Sequence, residues 1–262
     1  MNIINVAGIL LAIAVLVVSF VWGNDDPAKL VDVHGILIVI GGTGAAIGLA
    51  FGLDKAAKMV KIFFVGMFKT RVMSHDKLIE EMMKLGEAYR SNSPQLEAMV
   101  TAIEDPFLKD AMTTLTDQIF SEKKLYKVLL TRAQTVYKRY MDEAKMFSAC
   151  GKFPPAMGLM GAVLGMIALL ATLGKPGAEK NIGPAMSVAL VATLYGIAVA
   201  NLFIIPIGQN LEEVATAMKT KNMIIVEGVR IIATKANTIE LAEELNAYLL
   251  PSERVDWKSQ AS

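Results

Sequence analysis

Two apolar stretches, Pro155–Leu173 and Pro184–Ile207, contain no Asp, Glu, Lys, Arg or His. At mid-depth in the second stands one hydroxyl, Thr193, followed by the phenol of Tyr195. A relay that moves protons through a membrane ordinarily needs an embedded carboxylate or imidazole. This pair of stretches has neither. What it does have is small residues at helical spacing: Pro155, Gly158, Ala162 and Gly165 on the first, and Ala185, Ala189, Thr193, Gly196 and Ala200 on the second. Such stripes let helix backbones approach closely in lipid. The chemistry implied is a lined slot with a hydroxyl, completed by an acid on another chain.

Other reactive constellations are missing. Cys150 is the only cysteine, so neither an internal disulfide nor a CxxC metal site is available; a buried structural thiol is expected. His34 and His75 lie far apart with no HxxxH or HExxH spacing, and no metal centre is expected. Gly41-Gly42-Thr43-Gly44 lacks the following Lys-Ser/Thr and the preceding strand of a phosphate loop, so it reads as close helix packing. With no nucleophile–base pair either, an enzyme is not expected.

The elements that must position this slot are helical and mostly membrane-spanning. The chain has 262 residues, 54% of them hydrophobic, too apolar for an ordinary soluble domain. Four segments approach the roughly 20 apolar residues that cross a bilayer: Ile3–Trp22, Gly35–Leu53, Pro155–Leu173 and Pro184–Ile207. The first has no basic n-region and no small-residue cleavage pattern, and is expected to be a retained span. Of the 26 Lys and Arg, 17 fall between residues 54 and 153 and 6 after Gly208; the short links hold only Lys29, Lys175 and Lys180. Basic residues near the span ends mark the cytoplasmic side. The expectation is an all-α integral membrane protein with four transmembrane helices and a helical cytoplasmic domain between the second and third. Its parts are a first pair of spans over 1–53, the cytoplasmic domain over 54–153, a second pair over 154–208, and cytoplasmic helices and a tail over 209–262. Both termini lie inside.

Within the polar regions, Lys55, Lys58 and Lys61 alternate with Met59, Val60, Ile62 and Phe63, the pattern of an amphipathic helix leaving a membrane surface. Leu78, Met82, Leu85 and Tyr89 predict one buried helical face. Ser93-Pro94 and Asp105-Pro106 each read as an N-cap followed by a first-turn proline. The longest helix is predicted from Ser121 to Ala149, with its stripe on Leu125, Leu129, Val136, Tyr140 and Phe147. Another runs from Gln209 to Thr234, with Met218, Ile225, Val229 and Ile232 inward. Asn237-Thr238 caps a last helix, Ile239–Leu250, stopped by Pro251, and the residues after Ser252 form a loose tail. Gly23-Asn24-Asp25-Asp26-Pro27 is a turn.

Three blocks, in order, carry a resemblance: DVHGILIVIGGT at Asp32–Thr43, PAMGLMGAVLG at Pro155–Gly165, and IGPAMSVALVATLYGIAVANLFIIP at Ile182–Pro206. With four spans and a loop of this size, the chain resembles the flagellar motor stator proteins of the MotA/PomA type, related to TolQ and ExbB. The resemblance implies a homo-oligomeric ring, usually a pentamer, in the bacterial inner (cytoplasmic) membrane. The ring surrounds two copies of a single-span MotB-type subunit, which supplies the essential Asp and anchors to peptidoglycan. Ion flow at that interface turns the ring against the rotor's switch protein. Apart from the lipid bilayer no further partner is implied, nucleic acid included, and no cofactor.

Residue by residue, Pro155 and Pro206 match the family's two coupling prolines, and Thr193 matches the hydroxyl that faces the partner's Asp. A lone Thr in a helix otherwise back-bonds to its own backbone. Tyr195 sits beside the pathway and reads as packing. Arg90 and Glu97 are the best matches to a rotor-facing pair, with Ser93-Pro94 replacing the usual small residues between them. Sodium-driven members look to have Thr where this chain has Ala162. A sodium ion must exchange its water shell for several oxygen ligands, so H+ is the expected ion and Na+ the alternative. Two other functions compete: a TolQ/ExbB-like energiser of outer-membrane processes, and a stand-alone four-helix channel or transporter.

Overall fold

The computed structural model describes residues 3–23, 32–68, 75–177 and 179–255. Among these there is no strand. The predicted turn over 24–27, Lys29 and the end of the predicted tail lie outside the described residues. The chain divides into two compact units, Met1–Arg71 with Asp142–Glu212, and Val72–Met141 with Glu213–Ser262.

The first unit begins with α1, Ile3–Gly23, whose 21 residues carry no charge. Asp32 then caps α2, Val33–Ile36, accepting from the Gly35 N–H at 2.6 Å. A π-helical segment, Leu37–Gly41, and α3, Gly42–Phe51, continue the same apolar run. Gly52 ends it at φ +87, a left-handed conformation that suits glycine. The amphipathic α4 follows, Leu53–Phe68.

The second unit opens with α5, His75–Arg90, then α6, Leu96–Ala102, and α7, Pro106–Thr116. The Asp105 carboxylate caps α7, accepting from Phe107 N and Leu108 N at 3.0 Å each, with Pro106 in the first turn as read from the sequence. At Ser93-Pro94 the expectation fails by two residues. Ser93 Oγ accepts from Gln95 N at 3.3 Å, which closes a turn, and α6 starts only at Leu96.

The long α8, Glu122–Cys150, runs within one residue of its predicted ends. It is followed by α9, Phe153–Thr172, and by α10, Glu179–Ala198, which starts five residues before the expected Pro184. A second π segment, Val199–Ile204, leads into α11, Ile205–Ala233. Finally α12, Thr238–Asn246, is capped by Asn237 and stops four residues short of the expected Leu250, with a 3-10 turn at Pro251–Glu253.

The second unit has a conventional interior. Leu78, Met82 and Leu85 of α5 pack with Leu108, Met112, Leu129, Ile225, Val229, Leu241 and Leu245, all fully or almost fully buried. On α8 the stripe is Leu125, Leu129 and Ala133, whereas Tyr140 is exposed. The first unit has the reverse pattern. Leu49, Leu159, Ile167, Leu170 and Leu190 point outward, and a contiguous apolar exterior of this kind requires lipid or a partner to cover it. Three described stretches are long and apolar enough to cross a membrane: Val33–Phe51, one within Glu122–Thr172, and one within Ile182–Ala233.

Candidate functional site

The site is built where α9 meets α10, and glycines set how closely they approach. A Cβ on Gly158 would stand 2.8 Å from Ala192 O and 3.2 Å from Thr193 Cα. One on Gly161 would meet Ala192 Cβ at 2.9 Å, and one on Gly165 would meet Ala189 Cβ at 3.0 Å. From the other side, Gly196 lies against the Pro154 carbonyl. The preceding run joins the pair, since a Cβ on Gly35 would be 3.4 Å from Ala192 Cα. Gly161 was not in the stripe read from the sequence; the stripe used Ala162, which is half-buried.

At this crossing Thr193 is half-buried. Its hydroxyl lies 3.2 Å from Ala189 O, to which it donates, and 3.5 Å from Gly158 O across the crossing. The hydroxyl proton is thereby used, but the oxygen keeps lone pairs that can accept. Pro155 occupies the first turn of α9, where a missing N–H costs nothing. Tyr195 does more than pack: its phenol oxygen accepts from the Asp32 N–H at 3.2 Å. Asp32, only 15% exposed at its side chain, thus joins α2 to α10 and lies 3.9 Å from the exposed His34 Nδ1. The signal for Asp32 was available, as an acidic residue directly before an apolar helix.

At the far end of α10 the π segment has a local cause. Pro206 has no N–H to give to Leu202 O, and the Ile205 N–H reaches back five residues to Ala200 O. Asn201 Nδ2 donates to Ile197 O at 3.0 Å, one turn back on the same helix. Pro206 itself is exposed.

Arg90 and Glu97 belong to the other unit. Arg90, last in α5, donates to both carboxylate oxygens of Glu87 at 2.9 Å, while Glu97 is exposed in the first turn of α6. The Arg90 hydrogen bond, then that of Thr238, holds the Glu87 carboxyl below the usual carboxylate range. The guanidinium is therefore engaged by Glu87 and not by Glu97.

Among the described residues no three His, Cys, Asp or Glu side chains form a metal-binding group. The α9–α10 site offers oxygen atoms and a close-packed wall, with no titrating acid of its own within either helix core.

Residues 99–222 match the model of the MotA/TolQ/ExbB proton channel family. The chain is 30% identical over 238 residues to motility protein A of Cereibacter sphaeroides, covering 89% of each. It is 27% identical over 256 residues to chemotaxis protein PomA of Vibrio alginolyticus, covering 97% of this chain and 98% of that one. Its fold superposes on a chain of the flagellar MotAB stator complex from Bacillus subtilis with a TM-score of 0.84, at 26% identity over 95% of this chain and 97% of that one. The class so defined is the helical membrane protein of proton-channel type. The chain belongs to the MotA/TolQ/ExbB proton channel family, within its motility protein A group.

Proposed function

We propose that this chain is the stator subunit of a bacterial flagellar motor, conducting ions together with a MotB-type partner and converting the gradient into torque. The observation that carries this reading is the α9–α10 crossing, which holds Thr193 in a close-packed wall without any acid. A pathway built on it needs a carboxylate from a second chain, and the MotAB complexes that this fold resembles pair two kinds of subunit. The driving force is adequate, at roughly 2.3 kcal/mol per charge per 100 mV.

In this reading α1 is a fourth span beside the three described apolar stretches. Both termini and the second unit lie on the cytoplasmic side of the inner membrane. Several copies of the chain, five by the family pattern, surround two partner helices that bring the essential Asp opposite Thr193. Pro155 and Pro206 couple ion passage to movement, and Arg90 and Glu97 face the rotor's switch protein. The ion is H+, because Ala162 withholds the second hydroxyl that a sodium ion would need in exchange for water.

The test is co-expression. Proton flux into vesicles should need both chains and vanish when the partner's Asp becomes Asn. Flux from this chain alone would overturn the reading. Swimming that tracked external sodium and survived collapse of the pH gradient would overturn the choice of ion.

A further inference from the structure

Gly52 breaks the apolar run at the end of α3, and α4 then carries Lys55, Lys58 and Lys61, all exposed. From Lys55 to Arg71 the sequence holds five basic residues and no acid. The level of α4 is fixed by what it packs on. Met59 is buried in a cluster with Phe147, Cys150 and Ile207, with Phe51 and Phe153 beside them. Phe51 ends the stretch Val33–Phe51, Phe153 opens α9, and Ile207 closes the apolar stretch that begins at Pro184. The ends of these spans meet at one level, the membrane boundary on the basic side of the chain, and the middle of α4 lies there.

Helix geometry sorts the rest of α4 into two flanks. At about 100° per residue, Leu53 and Val60 lie about 100–120° from Met59 on one side, and Lys58 and Lys61 about 100–160° from it on the other. Leu53 and Val60 are exposed, as is Leu49 just before the break. Among the described residues none of the α4 lysines is in an ion pair. Neither is Lys152, exposed just before α9, whose ammonium lies over the Phe153 ring. Asp54, the one acid in α4, is exposed on the lysine flank and pairs with none of them. Two occupants fail on physical grounds. An acidic protein segment meets the lysines and leaves Leu53 and Val60 in water. A lipid with a neutral headgroup covers the apolar flank and brings no net charge to the ammonium groups.

We infer that α4 is a docking surface for anionic phospholipids, whose phosphate groups meet Lys58 and Lys61 while their acyl chains cover Leu53 and Val60. A helix lying in a membrane interface gains both from buried apolar area and from attraction to anionic lipid. Each lysine at such a surface favours anionic lipid by about five-fold. The inference uses the membrane placement of the first unit but not the ion-conducting reading.

The experiment uses the full chain with its membrane partner in phosphatidylcholine vesicles. Trace phosphatidylglycerol or phosphatidylcholine, each with a diazirine near the top of one acyl chain, is photolysed there, and adducts are mapped by mass spectrometry. Adducts at Leu53 and Val60 are expected from both probes, with phosphatidylglycerol in excess by at least about five-fold. Lys58→Gln combined with Lys61→Gln should remove most of that excess, and Lys58→Arg with Lys61→Arg should keep it. Lys175→Gln, in the link after α9, should leave it unchanged. In the wild type, about 0.5 M NaCl should shrink the excess by screening, and inorganic phosphate at matched ionic strength should do no more than the salt. Equal labelling by the two probes at α4 would overturn the assignment. So would an excess that survives the double glutamine variant and salt, or a helix that takes no adduct because another protein surface covers it. Flux measured in the same vesicles reports separately on the ion-conducting reading.

Discussion

Lys221 and Asp105, 116 positions apart, form an ion pair in which both side chains are more than nine-tenths buried. Asp105 also accepts the two free N–H groups that open α7, so one carboxylate ties α11 to α7 and caps a helix. Breaking a buried pair by removing one partner leaves the other charge without compensation, at a cost of about 3–5 kcal/mol. Asp105→Asn, which keeps a capping oxygen, should therefore lower the second unit's free energy of unfolding, measured by urea titration, by most of that amount. Lys221→Met should cost much less in the Asn background than in the wild type. Additive losses would show that the two side chains act independently.

Glu81 predicts a pH dependence of the opposite kind. Burial, then the charges of Asp105 and Glu104, push its carboxyl above the ordinary range, with Lys84 opposing. A carboxyl raised in the folded state is stabilising only while protonated. Its contribution is full below the unfolded pKa of about 4 and is lost as pH rises through the folded value. Glu81→Gln should then raise the melting temperature at pH 7, and the advantage should disappear in melts run below about pH 4.

The α9–α10 crossing tolerates no side chain at Gly158. A Cβ there would meet backbone on α10, at Ala192 O and Thr193 Cα. Gly158→Val should force the helices apart and abolish co-purification with a MotB-type partner. Gly8→Val, where an added Cβ meets nothing within 4 Å, should leave it intact.

Thr193 and Tyr195 separate wall from tether. Thr193→Val keeps the shape and removes the oxygen, so proton flux with the partner should fall at least ten-fold while assembly persists; Thr193→Ser should restore it. Tyr195→Phe removes the acceptor for the Asp32 N–H. It should cost about 1 kcal/mol of stability and shift the thermal midpoint more than the flux.

Much of this was legible from local chemistry. Asp105-Pro106 and Asn237 announce helix starts through short-range rules, and both caps stand as read. The stripe of Gly158 and Gly165 also reads directly, because helical spacing fixes which residues share a face. Ser93 misled because a hydroxyl that closes a turn and one that caps a helix look alike in sequence. Asp32 with Tyr195, and Asp105 with Lys221, are pairings over 163 and 116 positions, set by packing that no local pattern encodes. The π segment Leu37–Gly41 was hidden, since it carries ordinary helix-compatible residues, whereas Pro206 just after Val199–Ile204 marked a missing backbone donor.

A π turn holds one residue more than the α turn it replaces. Were the bulge at Val199–Ile204 to close into α geometry, everything C-terminal of it on the same helix would swivel by about 100° and advance by about 1.5 Å. The rod on which Pro206 and Glu212 ride thus contains a built-in ratchet tooth, able to change its azimuth without being cut.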